Sequence, residues 1–281
     1  MNWGHWGARF DTSQYLSMIN DCIQEGVTTF DHADIYGHYT TEEEFGRALK
    51  EAPSLRDKMQ LITKCGIRMV SPNRPEHQIK SYDTSAGHIS TSVERSLKNL
   101  HTDHLDLLLI HRPDPLMDPN EIAETVDGLK QSGKILHFGV SNFTPAQVQL
   151  INHHIPVEYH QFEFSVRHTQ PFIDGTLDLC LREGIQAQAW SPLGGGKLTA
   201  EAEEEQSRKI VAAAEILGHK YGAEFDQILL SWLLQHPARI TPVLGTTRIE
   251  RIRKAVQATS VKLTREEWFM LLRAATGKDV A

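Results

Sequence analysis

The sequence predicts one α/β domain over residues 1–281, with the fold class of a (β/α)8 TIM barrel. Three observations lead to this prediction. Short apolar runs alternate along the chain with amphipathic segments that carry helix caps. The length of 281 residues is close to that of one such barrel. No GxGxxG turn follows an early strand, which argues against a doubly wound dinucleotide-binding sheet.

The strands are predicted from seven short apolar runs, several of them rich in β-branched residues. Such runs are typical of parallel strands that helices bury on both faces. In chain order they are residues 26–31, 59–64, 104–110, 135–141, 157–163, 184–190 and 240–245. An eighth strand should come first, but only MNWGHWG is available before the first helix. We therefore expect the barrel to lack its N-terminal hairpin and part of the first strand.

The helices are predicted from their caps. An acidic or hydroxyl residue followed three positions later by Gln or Glu indicates a capping box, and a glycine often ends the helix. Threonines and glutamates at this spacing open a helix near residue 40. The other predicted boxes are Asp11–Gln14, Asp118–Glu121, Thr144–Gln147 and Thr264–Glu267.

Composition and charge exclude several classes of protein. The net charge of −7 argues against a surface for nucleic acid or anionic lipid. No apolar run approaches the roughly 20 residues of a membrane-spanning helix, and the first residues do not resemble a signal peptide. Cys22, Cys65 and Cys180 include no CxxC pair, so neither a disulfide framework nor a thiolate metal site is predicted. We expect a cytoplasmic protein.

Charged and polar side chains cluster where the predicted strands end. Asp31 ends one strand in the stretch FDHADIYG and Tyr36 lies in the loop that follows, while Lys64 and His111 lie at the ends of two other strands. Catalytic groups of a barrel come from the carboxyl ends of its strands. Each residue alone has an ordinary explanation, such as a loop cap or a satisfied core histidine. Their occurrence at successive strand ends favours a shared site.

An aspartate, a lysine and a tyrosine that meet in one buried pocket are suited to proton transfer. Free tyrosine is a weak acid with a pKa of about 10. A nearby ammonium lowers that pKa, and a carboxylate keeps a buried lysine charged. We therefore expect Asp31 to hold Lys64, and Lys64 to lower the pKa of Tyr36 so that it serves as a general acid. His111 would orient a carbonyl oxygen or share its proton.

Five segments resemble the signature segments of the aldo-keto reductase family, in the same order: FDHADIYG, LITKCG, DLLLIHRPDP, GVSNF and AWSPLGGGKL. The resemblance covers essentially the whole chain and is greatest to the bacterial YdhF-like oxidoreductases. It implies an enzyme that reduces a small aldehyde or ketone with NADPH in preference to NADH. Asp31, Tyr36, Lys64 and His111 match the family's catalytic tetrad, in which the tyrosine donates the proton.

The resemblance also implies which residues bind the cofactor. Ser141, Asn142 and Gln161 match positions that hydrogen-bond the nicotinamide carboxamide, and Trp190 matches the aromatic residue that stacks on the ring. The positions that match contacts to the rest of the cofactor are Ser191, Leu193, Lys197, Gly245, Thr246, Thr247 and Arg251. An arginine at the last of these positions, Arg251, favours binding of the 2′-phosphate that only NADPH carries.

Two other functions remain open at this point. A metal-dependent barrel hydrolase also uses histidines at strand ends, but it expects an HxH pair after the first strand, which is absent. A non-catalytic barrel that senses a cofactor for a partner protein has no evident need of a Lys–Asp pair beside a tyrosine. The sequence predicts neither the physiological substrate nor the oligomeric state.

Overall fold

The computed structural model describes residues 2–199 and 201–280. The chain divides into two compact units, Met1–His160 and Gln161–Ala281. The division falls within a strand. A single domain over the whole chain stays a prediction.

The first unit is built from parallel strands that alternate with helices. Its strands are β1 (Thr29–Asp31), β2 (Gln60–Cys65), β3 (Ile67–Arg68), β4 (Ser81–Tyr82), β5 (Leu105–Ile110) and β6 (Ile135–Ser141). Its helices are α1 (Thr12–Gln24), α2 (Tyr36–Tyr39), α3 (Thr41–Glu51), α4 (Ala86–Leu100), α5 (Pro119–Gln131) and α6 (Pro145–Asn152). Parallel pairing joins β1 to β2, β2 to β5 and β5 to β6, whereas β3 and β4 form a small antiparallel pair.

Strand register fixes where the polar strand ends lie in this unit. Asp31 of β1 is opposite Ile62 of β2, and Lys64 of β2 is opposite Leu109 of β5. Along β5 the residues are apolar and buried almost without interruption, as expected when helices cover both faces of a parallel sheet. The polar residues therefore collect at the carboxyl edge.

The second unit continues the alternation. Its strands are β7 (Tyr159–Glu163), in which the division falls, β8 (Gln186–Trp190) and β9 (Thr241–Val243). Its helices are α7 (Thr176–Glu183), α8 (Glu205–Tyr221), α9 (Phe225–Leu234), α10 (Ile249–Gln257) and α11 (Arg265–Thr276). The strands neighbour one another in the order β7-β8-β9, with β8 and β9 parallel. Trp232 of α9 and Trp268 of α11 stack at 4.7 Å between ring centroids and join these two helices.

The seven predicted strands are confirmed, because each predicted run contains one strand of the sheet. The expected first strand within MNWGHWG is wrong for the described residues. Residues 3–8 form bends and turns, since the backbone bonds of this stretch close locally: the N–H of Gly7 donates to Gly4 O (2.9 Å) and that of Phe10 to Trp3 O (2.8 Å).

Three of the predicted capping boxes are confirmed, at Asp11–Gln14, Thr144–Gln147 and Thr264–Glu267. The other two do not form because their side chains bind elsewhere. The Thr40 hydroxyl donates to Gly37 O (2.8 Å). The Glu121 carboxylate accepts the N–H of Ala86 (2.8 Å), and Asp118 caps α5 without it.

Candidate active site

The carboxyl ends of β1, β2 and β5 bring four of the predicted residues together. Asp31 is the last residue of β1, Lys64 lies near the end of β2, and His111 follows β5. Tyr36 begins α2, the short turn after β1. The backbone N–H of His111 donates to Cys65 O (2.8 Å), which extends the alignment of β5 with β2 past the end of β5.

Lys64 lies at the centre of this group. Its ammonium donates to the Asp31 carboxylate (2.7 Å), to the backbone carbonyl of His32 (2.7 Å) and to the hydroxyl oxygen of Tyr36 (3.4 Å). The side chain is only 1% exposed. Burial by itself lowers the pKa of Lys64, but Asp31 and Tyr36 together raise it above its ordinary value. Lys64 is therefore charged at neutral pH.

The expected lowering of the Tyr36 pKa is wrong as a net effect. Burial raises the pKa of Tyr36 above its ordinary value, and the Lys64 ammonium only reduces that rise. The phenol is consequently protonated at neutral pH. Because its oxygen accepts the bond from Lys64, its own hydrogen can be donated to another group.

His111 packs beside Tyr36 with the ring planes at 79° and the centroids 6.1 Å apart. Burial, with the nearby Lys64 ammonium, lowers the pKa of His111 well below its ordinary value. The ring is therefore neutral at neutral pH. Its Nδ1 has no hydrogen-bond partner among the described residues. A neutral imidazole can donate from one nitrogen and accept at the other.

Ser141 and Asn142 lie at the end of β6, next to His111. The Asn142 side-chain amide donates to His111 O (3.2 Å) and to the Ser141 hydroxyl (2.7 Å). The backbone of Asn142 has a φ of 62°, a left-handed conformation that asparagine tolerates better than most residues. These bonds link the end of β6 to the residue that follows β5.

The other predicted residues lie in the second unit, on the ends of its strands. Gln161 of β7 is buried and donates to the Gln188 side chain of β8 (3.0 Å). Trp190 is the last residue of β8, and Ser191 follows it with a φ of 51°. Leu193 immediately precedes the 3-10 turn of Gly194–Gly196. These residues therefore occupy the carboxyl ends of β7 and β8 and the loop after β8.

Two further predicted segments of this unit carry positive charge. The ammonium of Lys197 lies 2.9 Å from the carboxylate of Glu204, which Arg167 also binds. After β9, the loop with Gly245, Thr246 and Thr247 leads into α10, whose first turn carries Arg251. The Thr246 hydroxyl accepts the N–H of Arg248 (3.1 Å).

Two buried residues of the first unit, Tyr39 and Glu42, were not predicted from the sequence. The hydroxyl oxygen of Tyr39 accepts the N–H of Met69 (2.8 Å). Glu42 accepts bonds from the hydroxyls of Thr63 (2.6 Å) and Ser96 (3.0 Å). Glu42 stands first in a run of three glutamates at a helix start, a pattern that indicates a solvated turn. Only the tertiary packing of α3 shows which glutamate points inward.

Within residues 2–199 and 201–280, no three His, Cys, Asp or Glu side chains are grouped so that they could hold a metal ion. In the same ranges, the helices are too short or too polar to cross a membrane.

Comparisons with known proteins give one consistent result. The model of the Aldo/keto reductase family matches residues 1–274. The oxidoreductase YdhF of Escherichia coli is 46% identical over 270 residues, covering 95% of this chain and 89% of its own length. A 6-dehydroglucose reductase of Agrobacterium fabrum is 44% identical over 285 residues, covering 99% and 95%.

A solved structure extends this result to the fold. The thermostable aldo-keto reductase Tm1743, crystallised with the inhibitor epalrestat, matches with a TM-score of 0.80 and 27% identity. The match covers 97% of this chain and 93% of that one. It confirms the predicted fold class, an α/β barrel. The likeness to YdhF confirms the resemblance to that subgroup.

Proposed function

The chain belongs to the aldo/keto reductase family of oxidoreductases, and we propose that it reduces an aldehyde or ketone to an alcohol, with NADPH as hydride source and Tyr36 as proton donor. One observation supports the roles assigned to the catalytic residues. The Lys64 ammonium is 2.7 Å from the Asp31 carboxylate and 3.4 Å from the Tyr36 hydroxyl. Family membership removes the reason to prefer a metal-dependent hydrolase.

Tyr36 suits the role of acid because it is protonated in the resting site and already bonded to a cation. When it gives its proton to the carbonyl oxygen, negative charge develops on its own oxygen. The Lys64 ammonium stabilises that charge without having to move, and Asp31 keeps the ammonium protonated. His111, neutral and beside Tyr36, would donate a hydrogen bond to the same carbonyl oxygen.

The side chains present fit a nicotinamide cofactor. The amides of Asn142 and Gln161 and the Ser141 hydroxyl supply both donors and acceptors, as a carboxamide requires. When bound, NADPH supplies the hydride. We assign the stacking on the nicotinamide ring to Trp190, at the end of β8.

The remaining assignments concern the phosphates. We assign Ser191, Leu193 and Lys197 to the pyrophosphate, supported by the glycine-rich turn that follows Leu193. We assign four residues before and within α10 to the adenosine phosphate: Gly245, Thr246, Thr247 and Arg251. The start of a helix attracts a phosphate through its backbone N–H groups, and an arginine binds it in a fork. This arrangement supports NADPH over NADH.

The substrate class rests on the surroundings of Tyr36 and on one relative. The Trp6 ring lies 6.1 Å from the Tyr36 ring, so the carbonyl would approach along an aromatic surface. The relative from Agrobacterium fabrum carries the name 6-dehydroglucose reductase. We therefore place sugar aldehydes and aromatic aldehydes first among the substrates to test.

A cytoplasmic location stays part of the proposal, supported by three buried free cysteines.

Replacement of Tyr36 by phenylalanine tests the proposal. Tyr36→Phe should reduce kcat by about 10²–10⁴-fold, the range of a general acid, because the ring stays but the proton is lost. NADPH affinity, measured by fluorescence titration, should not change. Tyr221→Phe is the matched control: its hydroxyl binds Glu267 (2.6 Å) in the second unit, outside the assigned residues.

Full activity of Tyr36→Phe would remove this tyrosine from the acid role. If the unmodified protein consumes neither NADPH nor NADH with any member of the aldehyde panel, the proposed reaction is wrong.

A further inference from the structure

The backbone directly after Tyr36 passes through three consecutive residues in the left-handed region. The φ angles of Gly37, His38 and Tyr39 are 60°, 59° and 70°. Glycine adopts this conformation freely, but a residue with a Cβ is strained in it. Two successive strained residues persist only when their surroundings hold them. The contacts that do so here involve the loop of residues 69–77, which follows β3.

Tyr39 is bound to this loop from two directions. Its hydroxyl oxygen accepts the backbone N–H of Met69 (2.8 Å) and lies 3.4 Å from His77 Nδ1. The Arg74 guanidinium lies over the Tyr39 ring, 4.5 Å from its centroid. The side chain is buried. The hydroxyl therefore has a defined place, and the ring cannot turn without breaking the bond to Met69.

His38 is bound to the same loop through its backbone. Its carbonyl oxygen accepts bonds from the Asn73 side-chain amide (2.9 Å) and from the Ser71 hydroxyl (3.4 Å). Both strained residues are thus attached to one segment. That segment continues from β2, the strand that carries Lys64, through β3.

We propose that Tyr39 is a positioning residue that keeps the Tyr36 hydroxyl within reach of Lys64. The inference rests on the proposed role of Tyr36 as acid. Tyr36 packs against a hydrophobic cluster that contains Tyr39 and Ile67. The turn after Tyr36 and the chain after Lys64 are therefore packed against the same residues. If the bonds at Tyr39 are lost, the turn can relax and the 3.4 Å contact between Lys64 and Tyr36 lengthens. A misplacement of about 1 Å can slow a reaction on the order of 10²-fold.

A purely structural role for Tyr39 makes a different prediction. It would lower thermal stability but leave kcat of the folded protein unchanged. A positioning role changes kcat, leaves NADPH affinity intact and increases the solvent deuterium isotope effect on kcat, because proton transfer becomes slower relative to the other steps.

The main variant is Tyr39→Phe, which keeps the ring beneath Arg74 and removes only the hydroxyl. We expect kcat to fall by about tenfold or more, with a larger solvent isotope effect and an NADPH dissociation constant within twofold of the original. Asn73→Ala is a milder second variant, because Asn73 is exposed and only its bond to His38 is lost. It should show the same pattern with a smaller loss of kcat. Tyr221→Phe loses a phenol hydrogen bond in the second unit and should leave all three measurements unchanged.

The outcomes separate the inference from the proposed function. If the unmodified protein is active and a folded Tyr39→Phe has the same kcat and isotope effect, the inference is wrong and the proposed function stands. If Tyr39→Phe does not fold, an unchanged kcat in Asn73→Ala overturns the inference. If the unmodified protein performs no NADPH-dependent carbonyl reduction, both are wrong.

Discussion

Near the strand ends of the first unit His32 and His111 are buried and Tyr36 is partly buried, and loss of solvent favours the neutral form of each. It raises the pKa of Tyr36 and lowers those of His32 and His111. Lys64 behaves differently because its ammonium forms an ion pair with the Asp31 carboxylate, which raises the pKa of Lys64 and keeps it charged. The group therefore holds a charged Lys–Asp pair surrounded by neutral rings, where little water screens the pair.

The buried His32 should make the protein less stable in mild acid. Burial lowers the pKa of His32 from 6.5 to about 3. Below pH 6.5 the unfolded chain binds a proton at this residue, but the folded chain does not until about pH 3. The contribution to the free energy of unfolding is therefore lost progressively as the pH falls through this window. At 1.36 kcal/mol per pH unit, the loss at pH 5 is on the order of 2 kcal/mol.

The measurement is the difference between the melting temperatures at pH 7 and pH 5. This difference should be smaller for His32→Asn, which cannot bind the proton, than for the unmodified protein. His153→Asn is the control, since His153 is exposed at the end of α6. An equal acid sensitivity in the His32→Asn variant would show that other groups are responsible.

Among the elements, α3 connects the candidate site to the rest of the first unit. From this helix Glu42 reaches Thr63 on β2 and Ser96 on α4, so one carboxylate binds both neighbours. Thr63 immediately precedes Lys64. The close approach of α3 to α4 occurs at Gly46, where an added Cβ would lie 1.9 Å from Asn99 O. No side chain fits at that point.

Gly46→Ala should destabilise the protein although alanine favours helices. The new methyl group would overlap the backbone of α4, and such overpacking costs typically about 1–3 kcal/mol. The same change at Gly128, an exposed position of α5 where the added Cβ meets nothing within 4 Å beyond its chain neighbours and the backbone of its own helix, is the control. There we expect a gain of about 0.5–1 kcal/mol from helix propensity. Thermal unfolding checks both, and an unchanged melting temperature for Gly46→Ala would contradict this packing.

Elements whose ends are marked by local chemistry could be predicted from the sequence. Strand ends, and with them Asp31, Lys64 and His111, were predictable because a short apolar run stops at an ionisable residue. The left-handed His38 and Tyr39 could not be predicted, because only glycine or asparagine signals that conformation. The direction of the Tyr36 pKa also depends on burial, which one sequence does not specify.

For the whole molecule, the assigned residues are distributed over both units. The four proposed catalytic residues belong to the first unit, and most of the proposed cofactor residues belong to the second. A ligand that binds only the folded chain stabilises it according to its concentration and affinity. The thermal response to nucleotides therefore reports cofactor choice without requiring a substrate.

NADPH should raise the melting temperature more than NADH at equal concentration. At about 100 times its dissociation constant a ligand adds roughly 2.7 kcal/mol, which for a chain of this length corresponds to a shift of about 5 °C. Arg251→Ala should reduce the NADPH shift to that of NADH and leave the NADH shift unchanged, because only NADPH carries the 2′-phosphate that Arg251 is proposed to bind. Arg182→Ala removes another exposed arginine of the second unit, paired with Glu183, and should alter neither shift. Equal shifts with the two nucleotides in the unmodified protein would contradict the preference for NADPH.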